Sequence, residues 1–120
     1  MGDMDQLPAE GELHCDDTFQ EVFSLLGKRW TGLILGILLQ RPSRFGEIAR
    51  AIPSLSDGML SARLPELVDA GLVEREILEG PPIGALYSLT ERGEALRPAL
   101  EELAKWGERF LFVEPDPPLN

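Results

Sequence analysis

A change of hydrophobic period at Gly71 constrains the fold of this chain more than any other feature. Before it, Leu60, Leu64 and Leu67 recur at the spacing typical of one face of a helix. After it, "LVEREIL" (72–78) alternates apolar and polar side chains, which is typical of a strand. Glycine is a common residue just past the end of a helix. The sequence therefore predicts a helix that docks through its leucines and is followed at once by a strand.

The same patterns predict the remaining elements. Apolar periodicity and breakers indicate helices over 15–27, 29–41, 43–52, 56–70 and 90–110. Residues 85–89 form a second predicted strand, which pairs with 72–78 in a hairpin through the turn-rich loop "EGPPIG". The expected caps of the first helix are Asp16, Asp17 or Thr18, the last of which could form a capping box with Glu21. For the later helices they are Ser43, Ser54 or Ser56, and Thr90.

This order of elements is that of a winged helix-turn-helix, in which the turn "IPSLS" (52–56) joins two helices and the hairpin is the wing. The predicted fold class is α+β, mostly α, with extra N- and C-terminal helices for dimerisation. At 120 residues the chain is expected to form one domain over 15–112, with a flexible acidic arm at 1–14 and a flexible tail at 113–120.

The charge of the chain is unevenly distributed. The formal net charge is −10, and residues 1–21 contain seven acidic and no basic side chains. Residues 22–63, in contrast, contain six basic and two acidic side chains. The net charge disfavours non-specific nucleic-acid binding, whereas the basic stretch is compatible with a specific DNA-binding surface.

The helix from Ser56 carries small side chains opposite its leucines, and these would fit a DNA major groove. Serine hydroxyls bond phosphates or bases, and an alanine methyl packs on a thymine methyl. Arg63 is expected at the flank of this face, within reach of a phosphate or a guanine. The predicted DNA-binding residues are Ser43, Arg44, Ser54, Ser56, Asp57, Gly58, Ser61, Ala62 and Arg63. A merely solvated polar face would show the same pattern.

Six segments carry a resemblance to a known family: "GKRW" (27–30), "RFGEIARAIP" (44–53), "MLSARL" (59–64), "GLVERE" (71–76), "YSLTERG" (87–93) and "WGE" (106–108). Together they resemble the HxlR-type regulators, a MarR-like branch of winged helix proteins. The resemblance implies a bacterial transcription regulator that forms a homodimer through its first and last helices. The chain departs from the family at "DG" (57–58) and in its wing, which lacks a basic residue after "PP", and both departures weaken the expected DNA contact.

The single cysteine, Cys15, excludes an internal disulfide. The resemblance implies a role for it, because many HxlR-type regulators carry a cysteine here and in some it senses oxidants or electrophiles. A helix N-terminus favours the thiolate, whereas the adjacent Asp16 and Asp17 disfavour it. Cys15 is therefore a candidate redox sensor, with an inert thiol as the alternative.

The apolar stripe of the last helix is wider than a lone surface helix needs, and the first helix has a matching one. A homodimer would cover both. The predicted dimer seam consists of Phe19, Phe23, Leu96, Leu100, Leu103, Trp106 and Phe110. The aromatic residues of these helices could instead line a pocket for a small-molecule effector.

No motif predicts an enzyme, a metal site or a cofactor, since the chain has no phosphate loop and no metal-ligand spacing. The apolar run at 33–39 is too short to span a membrane, and the N-terminus lacks a signal peptide, so a cytoplasmic location is expected. The sequence thus predicts a DNA-binding regulator, a repressor that binds a pseudo-palindromic duplex operator. The alternative is a winged-helix protein-interaction module without strong DNA binding.

Overall fold

The computed structural model describes residues 11–112, so most of the predicted arm and all of the predicted tail lie outside the described residues. The elements are α1 (Asp17–Leu26), α2 (Thr31–Gln40), β1 (Ser43–Arg44), α3 (Phe45–Ala51), α4 (Asp57–Asp69), β2 (Val73–Leu78), β3 (Gly84–Leu89), α5 (Glu91–Glu94) and α6 (Arg97–Phe110). This is the predicted winged helix-turn-helix: α3 and α4 form the helix-turn-helix, β2 and β3 form the wing, and α1 and α6 flank them.

The sheet has one strand more than the sequence predicted. Its three strands are antiparallel in the order β1-β3-β2. Ser43 pairs with Tyr87 and Arg44 with Leu86, so the residues predicted to start a helix instead extend the wing sheet. Because the partners are more than 40 residues apart in the chain, local periodicity could not reveal this strand.

The core lies where α2, α3 and α4 meet the sheet. It is lined by Ile34, Leu35, Leu38, Ile48, Ile52, Leu55, Leu60, Leu64, Leu67, Leu72 and Val73. Helix α2 supplies three of these residues, as its almost uniformly apolar sequence predicted. The leucines of α4 are buried in this core, which fixes both the position and the rotation of α4.

The end of α4 and the start of the next helix are bonded to each other. Gly71 has a positive φ of 79°, a conformation that suits glycine and ends α4 as predicted. The Thr90 hydroxyl donates to the Gly71 carbonyl at 2.6 Å and accepts from the Gly93 N–H at 3.1 Å, so Thr90 is the predicted cap. At α1 the cap is Asp16, one of the three predicted candidates, which accepts from the Phe19 N–H at 3.2 Å.

The last predicted helix is broken in two. Helix α5 ends at Glu94 and α6 begins at Arg97. At the break, the Arg97 guanidinium donates to the Leu39 carbonyl at 2.9 Å and to the Glu94 carboxylate, which fastens the start of α6 to the end of α2. The hydrogen bond between the two side chains raises the pKa of Arg97 and lowers the pKa of Glu94.

Within residues 11–112, no single helix is long and apolar enough to cross a membrane. Helices α1 and α2 reach the required length and composition only as a pair, and they are bent by 77° at the break between them.

Candidate nucleic-acid interface

Helix α4 presents a face of small side chains to solvent. Its opposite face is fixed in the core, because Leu60, Leu64 and Leu67 are each at most 1% exposed. The exposed residues of its first two turns include Asp57, Gly58, Ser61 and Ala62. Apart from the exposed Met59, these side chains are short, and a convex helix surface of this kind is compatible with entry into a major groove.

The turn before α4 is held from both sides. Ile52 and Leu55 are buried, and the Leu55 N–H donates to the Ile52 carbonyl at 3.0 Å. The Ser56 hydroxyl caps α4 by accepting from the Met59 N–H at 3.1 Å. Ser54 is exposed on the outside of this turn. The N-terminus of α4 therefore projects outward from a rigid joint.

The structure corrects the predicted position of Arg63. The side chain does not extend from the exposed face but lies against the body of the protein, with 17% of its surface exposed. Its Nε donates to the Arg29 carbonyl at 3.1 Å, and its Nη1 lies 3.3 Å from the Glu66 carboxylate. Two acceptors thus hold the guanidinium inward, and Arg63 acts as a structural link rather than a free basic group.

The acceptor for Arg63 lies in the turn between α1 and α2, which is built from the "GKRW" segment. Lys28 forms an ion pair with Glu66 of α4 at 3.4 Å. Trp30 has a left-handed φ of 80°, an uncommon conformation for a bulky residue, and the Arg29 guanidinium lies 4.7 Å from its ring centroid. The sequence singled out this segment without assigning it a role; the structure shows that it joins the end of α1 to α4.

Ser43 and Arg44 occupy different surroundings although they are neighbours. Ser43 is buried, and its hydroxyl donates to the Arg41 carbonyl at 2.9 Å. The predicted DNA contact of Ser43 is therefore wrong, because the hydroxyl is bonded inside the protein. Arg44 is half-buried beside β3 of the wing.

Glu47 fixes the first turn of α3. Its carboxylate accepts from the Arg41 guanidinium at 2.8 Å and from the Arg44 N–H at 2.8 Å. The hydrogen bond from Arg41 contributes most to lowering the pKa of Glu47 below its ordinary value of 4.5, and the hydrogen bond from the Arg44 N–H lowers it further. Glu47 therefore remains ionised at neutral pH and offsets the charge of Arg41.

The positive charge at the interface is smaller than the sequence indicates. Of the six basic residues in 22–63, Lys28, Arg41 and Arg63 form ion pairs with acids of the same chain. Within residues 11–112, the other three have no such pair. These are Arg29, Arg44 and Arg50. Electrostatic attraction of an anionic ligand would depend chiefly on these three.

Cys15 lies directly before α1 and is exposed. Its thiol is 3.9 Å from the Asp16 carbonyl oxygen. The Asp16 carboxylate turns toward the helix and accepts from the Phe19 N–H. The thiol is thus accessible to a reagent in solution.

Helices α1 and α6 have no buried residue and expose aromatic side chains. The rings of Phe19 and Phe23 meet edge to face at 4.9 Å, and those of Trp106 and Phe110 lie 6.0 Å apart. Leu103 is also exposed. Two further residues of the predicted seam are placed differently: Leu96 and Leu100 are half-buried against the core and belong to the fold of the single chain.

A family model described as HxlR-like helix-turn-helix matches residues 25–115. The chain belongs to the HxlR family. Its matched relatives are transcriptional regulators and not enzymes, and this HxlR-family chain is a helix-turn-helix transcriptional regulator.

Two relatives of this HxlR-family chain bear on its regulation. YodB of Bacillus subtilis is 45% identical over 91 residues, which cover 76% of this chain and 81% of YodB. Reduced YodB has a TM-score of 0.72 at 40% identity, covering 85% of this chain and all of YodB. Quinone-bound YodB has a TM-score of 0.69 at 42% identity, covering 80% of this chain and all of YodB. The redox regulator HypR, in its reduced form, has a TM-score of 0.75 at 32% identity, covering 81% of this chain and 96% of HypR.

The inward position of Arg63 leads to a stability prediction. We expect Arg63→Ala to lower the free energy of unfolding by about 1–2 kcal/mol, because it removes charge-assisted hydrogen bonds that join α4 to the turn at 27–30. Urea unfolding measures this change. Arg50→Ala, which removes the same charge from an exposed site on α3, should change stability by less than about 0.5 kcal/mol.

Arg63→Lys separates geometry from charge, because lysine keeps the charge but lacks the planar fork that reaches two acceptors. We expect it to be nearly as destabilising as Arg63→Ala. If Arg63→Ala were as stable as the wild type and only its DNA affinity fell, the inward contacts would have no structural role.

Proposed function

We propose that the chain is a dimeric, sequence-specific DNA-binding repressor that acts in the cytoplasm. The observation that carries this proposal is the outward face of α4, whose small side chains stand on a buried leucine face. Asp57, Gly58, Ser61 and Ala62 would enter the major groove, and Ser54 and Ser56 would lie at the phosphates beside it. Bound at a promoter, the protein would block access to it.

A second copy of the chain would supply the second α4. Helices α1 and α6 expose Phe19, Phe23, Leu103, Trp106 and Phe110, each more than half exposed, on two helices without a buried residue. Apolar surface of this extent is typical of an interface. In a two-fold dimer, the two α4 helices would reach successive major grooves about 34 Å apart, and the operator would be a pseudo-palindrome.

We further propose that Cys15 controls DNA release. The thiol is exposed, and among the relatives YodB is known in a quinone-bound form and HypR is a redox regulator. The thiolate would add to an electrophilic carbon of a quinone, and the ring would take up a proton, so that no further oxidant is needed. An adduct before α1 adds bulk beside the proposed dimer seam and would change the distance between the two α4 helices.

A protein-interaction module without strong DNA binding is the second candidate. The net charge of −10 and the acid at Asp57, at the start of α4, favour it. The pairing of Lys28, Arg41 and Arg63 within the chain favours it as well, since the two carboxylates that they share offset two of the six positive charges.

The DNA-binding proposal predicts opposite effects of two charge changes on α4. With a duplex selected by the wild type from a random-sequence pool, Ser61→Glu should weaken binding at least about tenfold, because it places a like charge against the groove. Asp57→Asn should tighten binding by about threefold, on the order of one exposed charge contact. Both sites are exposed, so neither change should disturb the fold.

Fluorescence anisotropy at several salt concentrations is the measurement. Wild-type affinity should fall steeply with salt, as counterion release requires. If no duplex is enriched, or if Ser61→Glu and Asp57→Asn bind as the wild type does, the interaction-module reading holds instead.

The dimer proposal predicts a mass of twice 13.3 kDa by light scattering at micromolar concentration. Trp106→Glu should yield a monomer, since it places a charge in the apolar seam. Lys105→Glu is the matched control: it adds an acid at the neighbouring position of α6, on the side that faces away from the seam, and should leave the dimer intact. A wild type that remains a 13.3 kDa particle at high concentration would exclude the dimer.

The sensor proposal predicts that a quinone releases the wild type from its DNA and leaves Cys15→Ser bound. Intact-mass analysis should show one adduct per chain in the wild type, because Cys15 is the single cysteine. A wild type that carries the adduct and binds DNA unchanged would show that Cys15 reacts without signalling. A thiol that labels no faster than a free cysteine, with DNA binding unaffected, would leave an effector pocket between the terminal helices as the remaining proposal.

A further inference from the structure

The tip of the wing has no basic side chain of its own. Residues 79–84 read "EGPPIG", with one acid and an exposed Ile83. A wing that flanks DNA ordinarily uses positive charge to contact the phosphates beside the groove. The wing of this chain would therefore need that charge from another element.

Arg44 of β1 is placed to supply it. Strand β1 pairs with β3 so that Arg44 lies opposite Leu86, and Gly84 is two residues nearer the wing tip on the same face. A Cβ built at Gly84 would lie 3.0 Å from Nη1 of Arg44. The guanidinium thus extends along the sheet from the helix-turn-helix toward the wing tip.

The two faces of the wing differ in what their arginines meet. Arg44, Leu86 and Glu76 lie in register on one face, while the next row, with Tyr87 and Arg75, lies on the other. Arg75 borders a shallow groove between the wing and α4, together with Pro65, Val68, Asp69 and Tyr87. Arg44 is on the opposite face, away from that groove.

The Arg44 guanidinium is available for a ligand. Within residues 11–112 it takes part in no ion pair, and the bond between Arg44 and Glu47 uses the Arg44 backbone N–H. Glu76, on the same face, is separated from Arg44 by the whole of β3. Apart from chain neighbours, Nη1 of Arg44 is the one atom of the described chain within 4 Å of a Cβ at Gly84.

We propose that Arg44 binds a DNA phosphate beside the wing in place of a wing-tip base, and that Gly84 is the positioning residue that leaves room for its guanidinium. This inference rests on the proposed DNA binding. The planar guanidinium suits a phosphate because it can donate two parallel hydrogen bonds. A Cβ at position 84 would make the guanidinium give way by a few tenths of an ångström, and a branched side chain would require a larger shift.

The experiment measures the salt dependence of binding to the duplex selected by the wild type. Because each dimer carries two copies of Arg44, Arg44→Gln should lower the slope of log K against log salt by about two, one for each lost phosphate contact, and should weaken binding about five- to tenfold per subunit. Arg75→Gln is the matched control, since it removes the same charge from the other face of the same wing. It should leave the slope unchanged.

Gly84→Val tests the positioning role. Valine suits a strand and Gly84 does not have a positive φ, so the variant should fold, which its thermal unfolding checks. Alone it should reproduce part of the loss seen with Arg44→Gln, and in combination with Arg44→Gln it should cause no further loss. Arg44→Lys should recover the salt slope but only part of the affinity.

The outcomes separate this inference from the function on which it rests. A wild type that selects no duplex overturns the DNA-binding proposal itself. A wild type that binds DNA while Arg44→Gln keeps the full slope, or changes it only as much as Arg75→Gln does, overturns the role of Arg44. Additive losses from Gly84→Val and Arg44→Gln overturn the role of Gly84.

Discussion

The burial of one leucine stripe determines what this protein can present to a partner. Leu60, Leu64 and Leu67 are almost wholly removed from solvent, and each such side chain contributes about 1.5–3 kcal/mol of apolar burial. Rotation of α4 by one residue would expose part of that stripe. The leucines therefore determine that Ser61 and Ala62 face outward, and the recognition surface is a consequence of core packing rather than of contacts within that surface.

Electrostatics limits how strongly this surface can attract DNA. The chain carries a net charge of −10, and three of the six basic residues in 22–63 are ion-paired with Glu47 and Glu66, which together offset two positive charges. A single copy would gain few phosphate contacts, whereas a dimer doubles their number and makes the second binding event intramolecular. The proposed DNA binding of this chain therefore depends on the proposed dimer.

The local parts of the fold were predictable from sequence, and the long-range parts were not. Helix spacing located α4, the change of period located β2, and the caps at Ser56 and Thr90 were read from residue type alone. Strand β1 and the inward course of Arg63 depend on distant partners: Leu86 is 42 residues from Arg44, and Arg29 is 34 residues from Arg63. No local pattern encodes such a partner, so residue type and spacing predict a DNA contact for a basic residue on the flank of a helix.

The arrangement of α1 explains how an event at Cys15 could reach α4. The thiol precedes the first turn of α1, and the turn that follows the last residue of α1 carries Lys28 and the Arg29 carbonyl, both bonded to α4. Because α1 has no buried residue, its position depends on its ends and on whatever covers its aromatic face. Coupling between two sites requires an element whose contacts differ between two states. A shift of the outer end of α1 would be opposed at its inner end, where Leu25 and Leu26 pack against the core and the turn 27–30 is bonded to α4, and strain there would act on the helix that is proposed to read DNA.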